Sequence, residues 1–455
     1  MAPTMKSRYP LRPLALALLV AAAGAPAAAR CLDEDRFDAG NPGALSEPPP
    51  ATDPRATLQN LVREALARSN AVGAARLLAE AAQSDIDEAR AAAAIQAGVS
   101  AALGPGGARS GGITETSSAQ ARLSLGASQL LWDGGRTEHL VAWRTLLAES
   151  ARSGHLSQSE QLAATTVALA LERYRFRTQV GVYTQYLRKM SCLVEALETI
   201  VRADRGRASE LVQARKSLQQ AELALTQTQS LVRQIEVRLR RLAGDNLPPA
   251  GGLASQFTEV PNLDRMVAEV EQAHEIAQLT AQAGAADRFA RAAEAAGRPQ
   301  VSWTATGSAA ATTGGSLGNT KSGTYSLGLV LNIPLLSPGV QPATDAARKR
   351  ALAAGMQRAE ALEARRFRVA EVHEQANAAQ DRARRLAGVL RDSDTLRNAT
   401  LQQWQQLGRR SLFDVMASES EHVSLRLAYV NALVDVQQLN ANLFSLGRGV
   451  NEWLR

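Results

Sequence analysis

Residues 56–243 and 263–446 pass through the same elements in the same order, and this duplication limits the fold more than any other feature of the chain. Each half reads as a helix, a strand, a Gly-rich loop, a strand, a sharp turn, a very long helix, a short turn and a second long helix. In the first half the helix covers 58–92, and strands at 95–103 and 121–131 enclose Gly104, Gly106, Gly107, Gly111 and Gly112. In the second the helix covers 263–296, and strands at 301–309 and 325–333 flank Gly314, Gly315, Gly318 and Gly323. A shift of 204 positions (415 − 211) lays Leu131-Trp132-Asp133-Gly134-Gly135 on Leu335-Leu336-Ser337-Pro338-Gly339, and Glu210-Leu211 on Asp414-Val415.

A seven-residue spacing supports the shift independently. Leu211, Leu218, Leu225, Val232 and Leu239 form one line, with Ala214, Ala221, Thr228, Ile235 and Leu242 three residues on. The shift carries them to Val415, His422, Tyr429, Val436 and Leu443, with Ser418, Leu425, Ala432, Leu439 and Leu446. Two heptad seams in one register predict coiled-coil packing of helices 208–243 and 411–446. Their partners, 137–202 and 343–407, have a less regular pattern. The first spans 66 residues (202 − 137 + 1), or about 99 Å at about 1.5 Å per residue. A tube or a spacer needs such a helix; a compact enzyme domain does not.

Composition agrees. Apolar residues make up 45% of the chain but aromatics only 4%, so Ala, Leu and Val supply the packing, as in long helices that approach closely. The net charge of +7 permits nucleic-acid binding, but Arg is interleaved with Glu and Asp along the helices, the pattern of a solvated surface, and no nucleic-acid partner is expected. Two cysteines exclude a disulfide framework or a cysteine-rich zinc module. The segment His373-Glu374-Gln375-Ala376-Asn377 lacks the second His of a zinc helix, and neither GxxxxGK[ST] nor GxSxG occurs. We expect no catalytic residues, no metal and no cofactor.

Residues 1–29 read as a signal peptide: Lys6, Arg8 and Arg12 precede the apolar run 14–20 and the small residues Ala27-Ala28-Ala29. Cys31 raises a lipoprotein alternative, which Arg30 immediately before it opposes. Residues 30–55 form a Pro-rich leader, 244–262 a linker between the halves and 447–455 a tail.

The strands alternate with period two. Val301, Trp303, Ala305, Gly307 and Ala309 alternate with Ser302, Thr304, Thr306 and Ser308. Tyr325, Leu327, Leu329 and Leu331 alternate with Ser326, Gly328, Val330 and Asn332, and Ala121, Leu123, Leu125 and Ala127 with Arg122, Ser124, Gly126 and Ser128. A soluble sheet packed on helices would also alternate, but an exported chain with a duplicated hairpin fits transmembrane strands better. Four strands cannot close, and an open edge in lipid leaves backbone groups unpaired. Other copies must close the barrel. Three would give 3 × 4 = 12 strands; a dimer or tetramer remains open at this point.

In this setting the chain resembles the TolC-like outer membrane factors. The resemblance rests on Leu130-Leu131-Trp132-Asp133-Gly134-Gly135, on Pro334-Leu335-Leu336, and on Gly408-Arg409-Arg410-Ser411-Leu412-Phe413-Asp414-Val415-Met416 at the second helix turn. It covers about 56–446; the turn Gly206-Arg207-Ala208-Ser209-Glu210-Leu211 departs from it. It implies a mainly α fold with transmembrane β: a homotrimer sharing a 12-stranded barrel in outer membrane lipid, above a long periplasmic α-helical barrel. It also implies docking through a periplasmic adaptor (membrane fusion protein) to an inner-membrane ABC exporter or proton-driven transporter.

The function expected is a passive exit duct, with type I protein (toxin) secretion as the cargo reading and small-molecule efflux as its alternative. A periplasmic coiled-coil adaptor or scaffold without a barrel is the competing class, and the duplicated amphipathic hairpin discriminates against it. The turns at 204–209 and 408–412 would form the periplasmic tip. Arg205, Arg207, Ala208, Arg409, Arg410 and Leu412 are its candidate docking residues, although arginines there would equally solvate a turn. On a symmetry axis one carboxylate becomes a ring, which makes Asp392 and Asp394, paired with Arg391, candidates for a periplasmic gate.

Overall fold

The computed structural model describes residues 53–106, 109–110, 113–114, 118–313, 320–407 and 409–455. The expected signal peptide, the leader as far as residue 52, the loop residues Gly107, Gly111, Gly112, Gly314, Gly315 and Gly318, and Gly408 lie outside them.

The first half runs α1 (Pro54–Arg68), α2 (Asn70–Ala91), β1 (Gln96–Gly106), β2 (Arg109–Ser110), β3 (Ile113–Thr114), β4 (Ser118–Trp132), α3 (Arg136–Ala203) and α4 (Ala208–Ala243). The second runs α5 (Leu263–Glu269), α6 (His274–Ala295), β5 (Gln300–Thr313), β6 (Thr320–Asn332), α7 (Val340–Leu407), α8 (Leu412–Leu446) and α9 (Val450–Leu454). The duplication is close in length. Helices α3 and α7 have 68 residues each, and α2 and α6 have 22 each. The single helix expected over 58–92 is two, because Ser69 turns extended and its Oγ caps α2 by accepting the Val72 N–H at 3.3 Å. No helix among the described residues is long and apolar enough to cross a membrane.

Two compact units cut across this repeat, each drawing on both halves. One comprises the described residues to Leu61, Thr166–Val260 and Glu374–Asn440. Its core includes Val194 and Leu197 of α3, Ala214 of α4, Leu401 of α7, and Leu412, Val415 and Met416 of α8. The heptad line of α8 is inward-facing, with Val415, His422, Tyr429 and Val436 all buried. On α4 the second line, Ala214, Ala221, Thr228 and Ile235, is buried as well. The linker is a packed strap in this unit. Arg173 donates to the Pro248 carbonyl at 2.5 Å and to Glu236 at 3.0 Å, and Gln437 and Asn440, one turn apart on α8, donate to the carbonyls of Leu253 (2.7 Å) and Phe257 (2.8 Å). Phe257 has a left-handed backbone (φ 56°), and its ring is buried. Burial works against ionisation of Glu236, but hydrogen bonds from Arg177 and Arg173 outweigh it and hold the carboxyl below its usual range.

The other unit comprises Val62–Thr165, Pro261–His373 and Ala441–Arg455 and contains the sheet. Where β4 meets α3, the buried Asp133 carboxylate accepts from the Gly135 N–H (3.1 Å), the Thr137 N–H (2.7 Å) and the Thr137 hydroxyl (2.6 Å). Gly134 and Gly135 both take positive φ (68° and 89°), which makes the corner sharp. The second corner, Ser337-Pro338-Gly339, turns without them: the Val340 N–H bonds the Ser337 carbonyl at 3.0 Å. The tail is ordered into α9, whose first N–H groups, on Val450 and Asn451, bond the Glu160 carboxylate of α3. Burial, the largest influence on Glu160, raises its pKa.

Candidate functional site

The two hairpins join into one four-stranded antiparallel sheet in the order β1-β4-β5-β6. Its register sorts the side chains onto two faces. One carries Val99 against Leu125, Leu123 against Ala309, Ala305 against Leu327 and Trp303 against Leu329. Most of the large apolar side chains on this face are exposed: Leu103 is 85% exposed, Tyr325 95% and Leu327 78%, while Trp303 is partly covered and its indole N–H donates to Gln129 at 3.1 Å. The opposite face is a hydroxyl ladder. Ser100, Ser124, Ser308 and Thr324 form one row across all four strands, with Ser308 Oγ 2.7 Å from Thr324 Oγ1. In the next row Thr306 and Ser326 are also 2.7 Å apart. Strands β1 and β6 each have a neighbour on one side only, so the sheet ends in two open edges.

The helix turns expected at the tip are built differently from one another. After α3, Asp204 accepts the Gly206 N–H at 2.9 Å, and Arg205–Arg207 form a 3-10 turn that leads into α4. Arg205, Arg207 and Ala208 are all exposed. Before α8, Ser411 and Asp414 form a reciprocal cap: the Ser411 N–H reaches Asp414 Oδ2 at 3.1 Å and the Asp414 N–H reaches Ser411 Oγ at 3.2 Å. Arg409 and Arg410 are exposed, and Arg410 Nε donates to Gln403 at 3.2 Å. Leu412 requires a correction. It is 1% exposed and sits in the core cluster with Leu197 and Val415, so it holds the turn together rather than presenting a docking surface. Its neighbour Phe413, 45% exposed, is the apolar side chain that faces outward.

No protein-family model and no curated protein sequence matches the chain. Solved structures do. CusC superimposes with a TM-score of 0.76 at 18% identity, covering 87% of this chain and 92% of CusC. VceC, an outer membrane protein of Vibrio cholerae, gives 0.75 at 18% identity, covering 87% and 96%. The open state of the Neisseria gonorrhoeae outer membrane channel MtrE gives 0.70 at 18% identity, covering 86% and 90%. All three are TolC-family channels. The fold is that of a TolC-like outer membrane factor.

Within this fold the gate candidates occupy unlike surroundings. Arg391 and Asp392 are exposed on α7, whereas Asp394 is partly buried and pairs with Arg397, one turn on, at 2.8 Å rather than with the expected Arg391. Arg397 belongs to a buried polar network that the sequence reading missed. Lys189 Nζ of α3 lies 2.6 Å from Glu419 Oε1 of α8, and Arg397 Nη1 lies 3.9 Å from Glu419 Oε2. Arg426, one heptad after Glu419, donates to Gln185 of α3 at 2.7 Å. His422 lies between them at 1% exposure, with Nδ1 3.3 Å from Ser393 Oγ and Nε2 4.0 Å from Asp394 Oδ1. Burial pushes its imidazole down to about 3, reinforced by the positive Arg397, Arg426 and Lys189, so it is neutral at ordinary pH. One signal was available in the sequence: a histidine on a heptad seam, with Glu and Arg flanking it seven residues apart. Among the described residues no cluster of His, Cys, Asp and Glu is arranged to hold a metal.

Proposed function

We propose that three copies of the chain assemble side by side as the outer-membrane exit duct of a Gram-negative export system and conduct cargo passively. The sheet carries this reading, with its apolar face, its hydroxyl-lined face and two unpaired edges. In lipid each unpaired backbone group costs several kcal/mol, so β1 and β6 pair with other copies. Three copies of four strands give twelve, an even number within the range of bacterial barrels. The hydroxyl face then lines the pore, and the Leu and Tyr face meets outer membrane lipid. Exposed apolar residues on the helices, such as Val212, Leu223 and Val237 of α4 and Leu352, Met356 and Phe367 of α7, supply surfaces for the neighbouring copies. A periplasmic scaffold without a barrel would leave the apolar face and both edges without a role.

The energy for transport comes from an inner-membrane transporter, an ABC exporter or a proton-driven pump, reached through a periplasmic adaptor. Arg205, Arg207, Ala208, Arg409, Arg410 and the exposed Phe413 form the docking tip. Asp392, exposed near that tip, is the better gate-ring candidate; Asp394 is engaged by Arg397. For cargo, the Arg409–Met416 turn favours protein secretion over small-molecule efflux.

Planar-bilayer recording tests the duct. Protein extracted from outer membranes should give discrete conductance steps, and a preparation that never conducts would contradict the reading. Asp392→Ala should alter the cation sensitivity of that conductance; an unchanged response removes Asp392 from the gate. For the tip, Ala208→Cys and Phe413→Cys should crosslink to the adaptor in an active system, and the absence of any crosslink counts against docking there.

A further inference from the structure

The four strands of the sheet carry two charged side chains among the described residues, Lys321 and Arg122, and the register assigns them to opposite faces. Lys321 pairs with Ala311, in line with Ala121, on the apolar face. Arg122 lies in the row Ala102, Arg122, Ala310, Ser322, on the face of the hydroxyl ladder. Its cross-strand neighbours are alanines, so nothing in its row opposes the extended side chain. It is exposed, and no carboxylate occurs on that face of any of the four strands. In position it stands ten residues before Trp132, roughly 33 Å at about 3.3 Å per residue from the corner with α3, and close to the Gly-rich loops.

We infer that Arg122 is an anion-selecting residue of the pore, forming a ring of three guanidinium groups near its exterior mouth. The inference rests on the proposed trimeric duct, which turns one residue into a ring and the hydroxyl face into a lumen. The donors of a guanidinium form a fork that matches phosphate, sulfate and carboxylate oxygens. Rings of Arg or Lys are a general device for anion selection. The remainder of this face is uncharged: mostly hydroxyls, glycine and alanine, with Gln120 in the adjacent row and Gln96, Leu130, Gln300, Val330 and Asn332 toward the helical end. The ligand class is therefore small anions and the anionic groups of passing cargo. Because a twelve-stranded pore is wide, screening sets the strength. The field of the ring extends about 30 Å at 0.01 M salt but about 3 Å at 1 M, so selectivity should be strong in dilute salt and fade in concentrated salt.

Reversal potentials in planar bilayers test this, using wild type, Arg122→Ser, Arg122→Glu and the charge-conserving Arg122→Lys. Under a dilute KCl gradient, wild type and Arg122→Lys should share a chloride-to-potassium permeability ratio about twofold or more above that of Arg122→Ser, with Arg122→Glu lowest. The differences should vanish near 1 M KCl. Tripolyphosphate added on the loop side should reduce wild-type conductance and leave Arg122→Ser unaffected. Channels of normal conductance with equal reversal potentials for wild type and Arg122→Ser in dilute salt would overturn the inference and leave the duct intact. A wild type that forms no channel would overturn the duct reading and this inference with it.

Discussion

Glu419 is 1% exposed, and its carboxylate lies 2.6 Å from the Lys189 ammonium, itself 8% exposed, so each charge depends on the other in a poorly solvated place. Removing one partner strands the second, which costs about 3–5 kcal/mol, whereas replacing both with apolar residues is often neutral. Glu419→Gln should therefore lower the apparent melting temperature of the detergent-solubilised protein by several degrees. Lys189→Met with Glu419→Leu should recover most of the loss, less the share owed to Arg397. A single substitution without effect would show that the pair is solvated. His422 gives a pH test. Its folded value, about 3, lies below the ordinary 6.5, so between those limits the unfolded chain binds a proton that the folded chain does not. Stability should fall as pH drops from about 6.5, by up to about 1.4 kcal/mol per pH unit per chain. The groups facing the imidazole are Lys189 from α3, Ser393, Asp394 and Arg397 from α7, and Arg426 on α8 itself. In His422→Leu this component disappears, so the melting temperature should change less between pH 7 and pH 5 than in wild type. Equal changes would show that His422 does not drive the response.

Helices α4 and α8 were legible because their heptad lines repeat, α3 and α7 because their great length does, and the strands because period-two alternation survives in β4, β5 and β6. Their ends were less so. Strand β5 runs to Thr313 where the alternation ended at 309, because pairing with β4 extends through Ala119 and Thr313. The packed linker was illegible for a physical reason: its order comes from Arg173, Gln437 and Asn440, polar residues distant in sequence that reach its carbonyls. The same applies to Leu412, whose place in a turn motif carries no information about its burial. The strap makes a prediction of its own. Asn440→Ala leaves the buried Phe257 carbonyl without this partner, at a cost of about 1–3 kcal/mol. Limited proteolysis should then cut within 244–262 well before wild type is cut there. Unchanged resistance would mean that the buried Leu253 and Phe257 hold the strap without that bond.

At the scale of the whole molecule, one chain is incomplete in a defined way. The sheet has a wall's two faces and no closure, and exposed apolar side chains recur on α4 and α7 as well as on the strands. The low aromatic content fits this picture: Ala, Leu and Val line helix seams and thin strands, and no large interior has to be filled. The heptad-spaced and alternating positions say little about how many copies close the wall; the cost of an open edge in lipid demands closure, and the number three comes from the resemblance to TolC-like factors. Native mass spectrometry of protein extracted with detergent from outer membranes is the most direct test. The account predicts three chains in one particle. A single chain, recovered from the soluble periplasmic fraction, would contradict it.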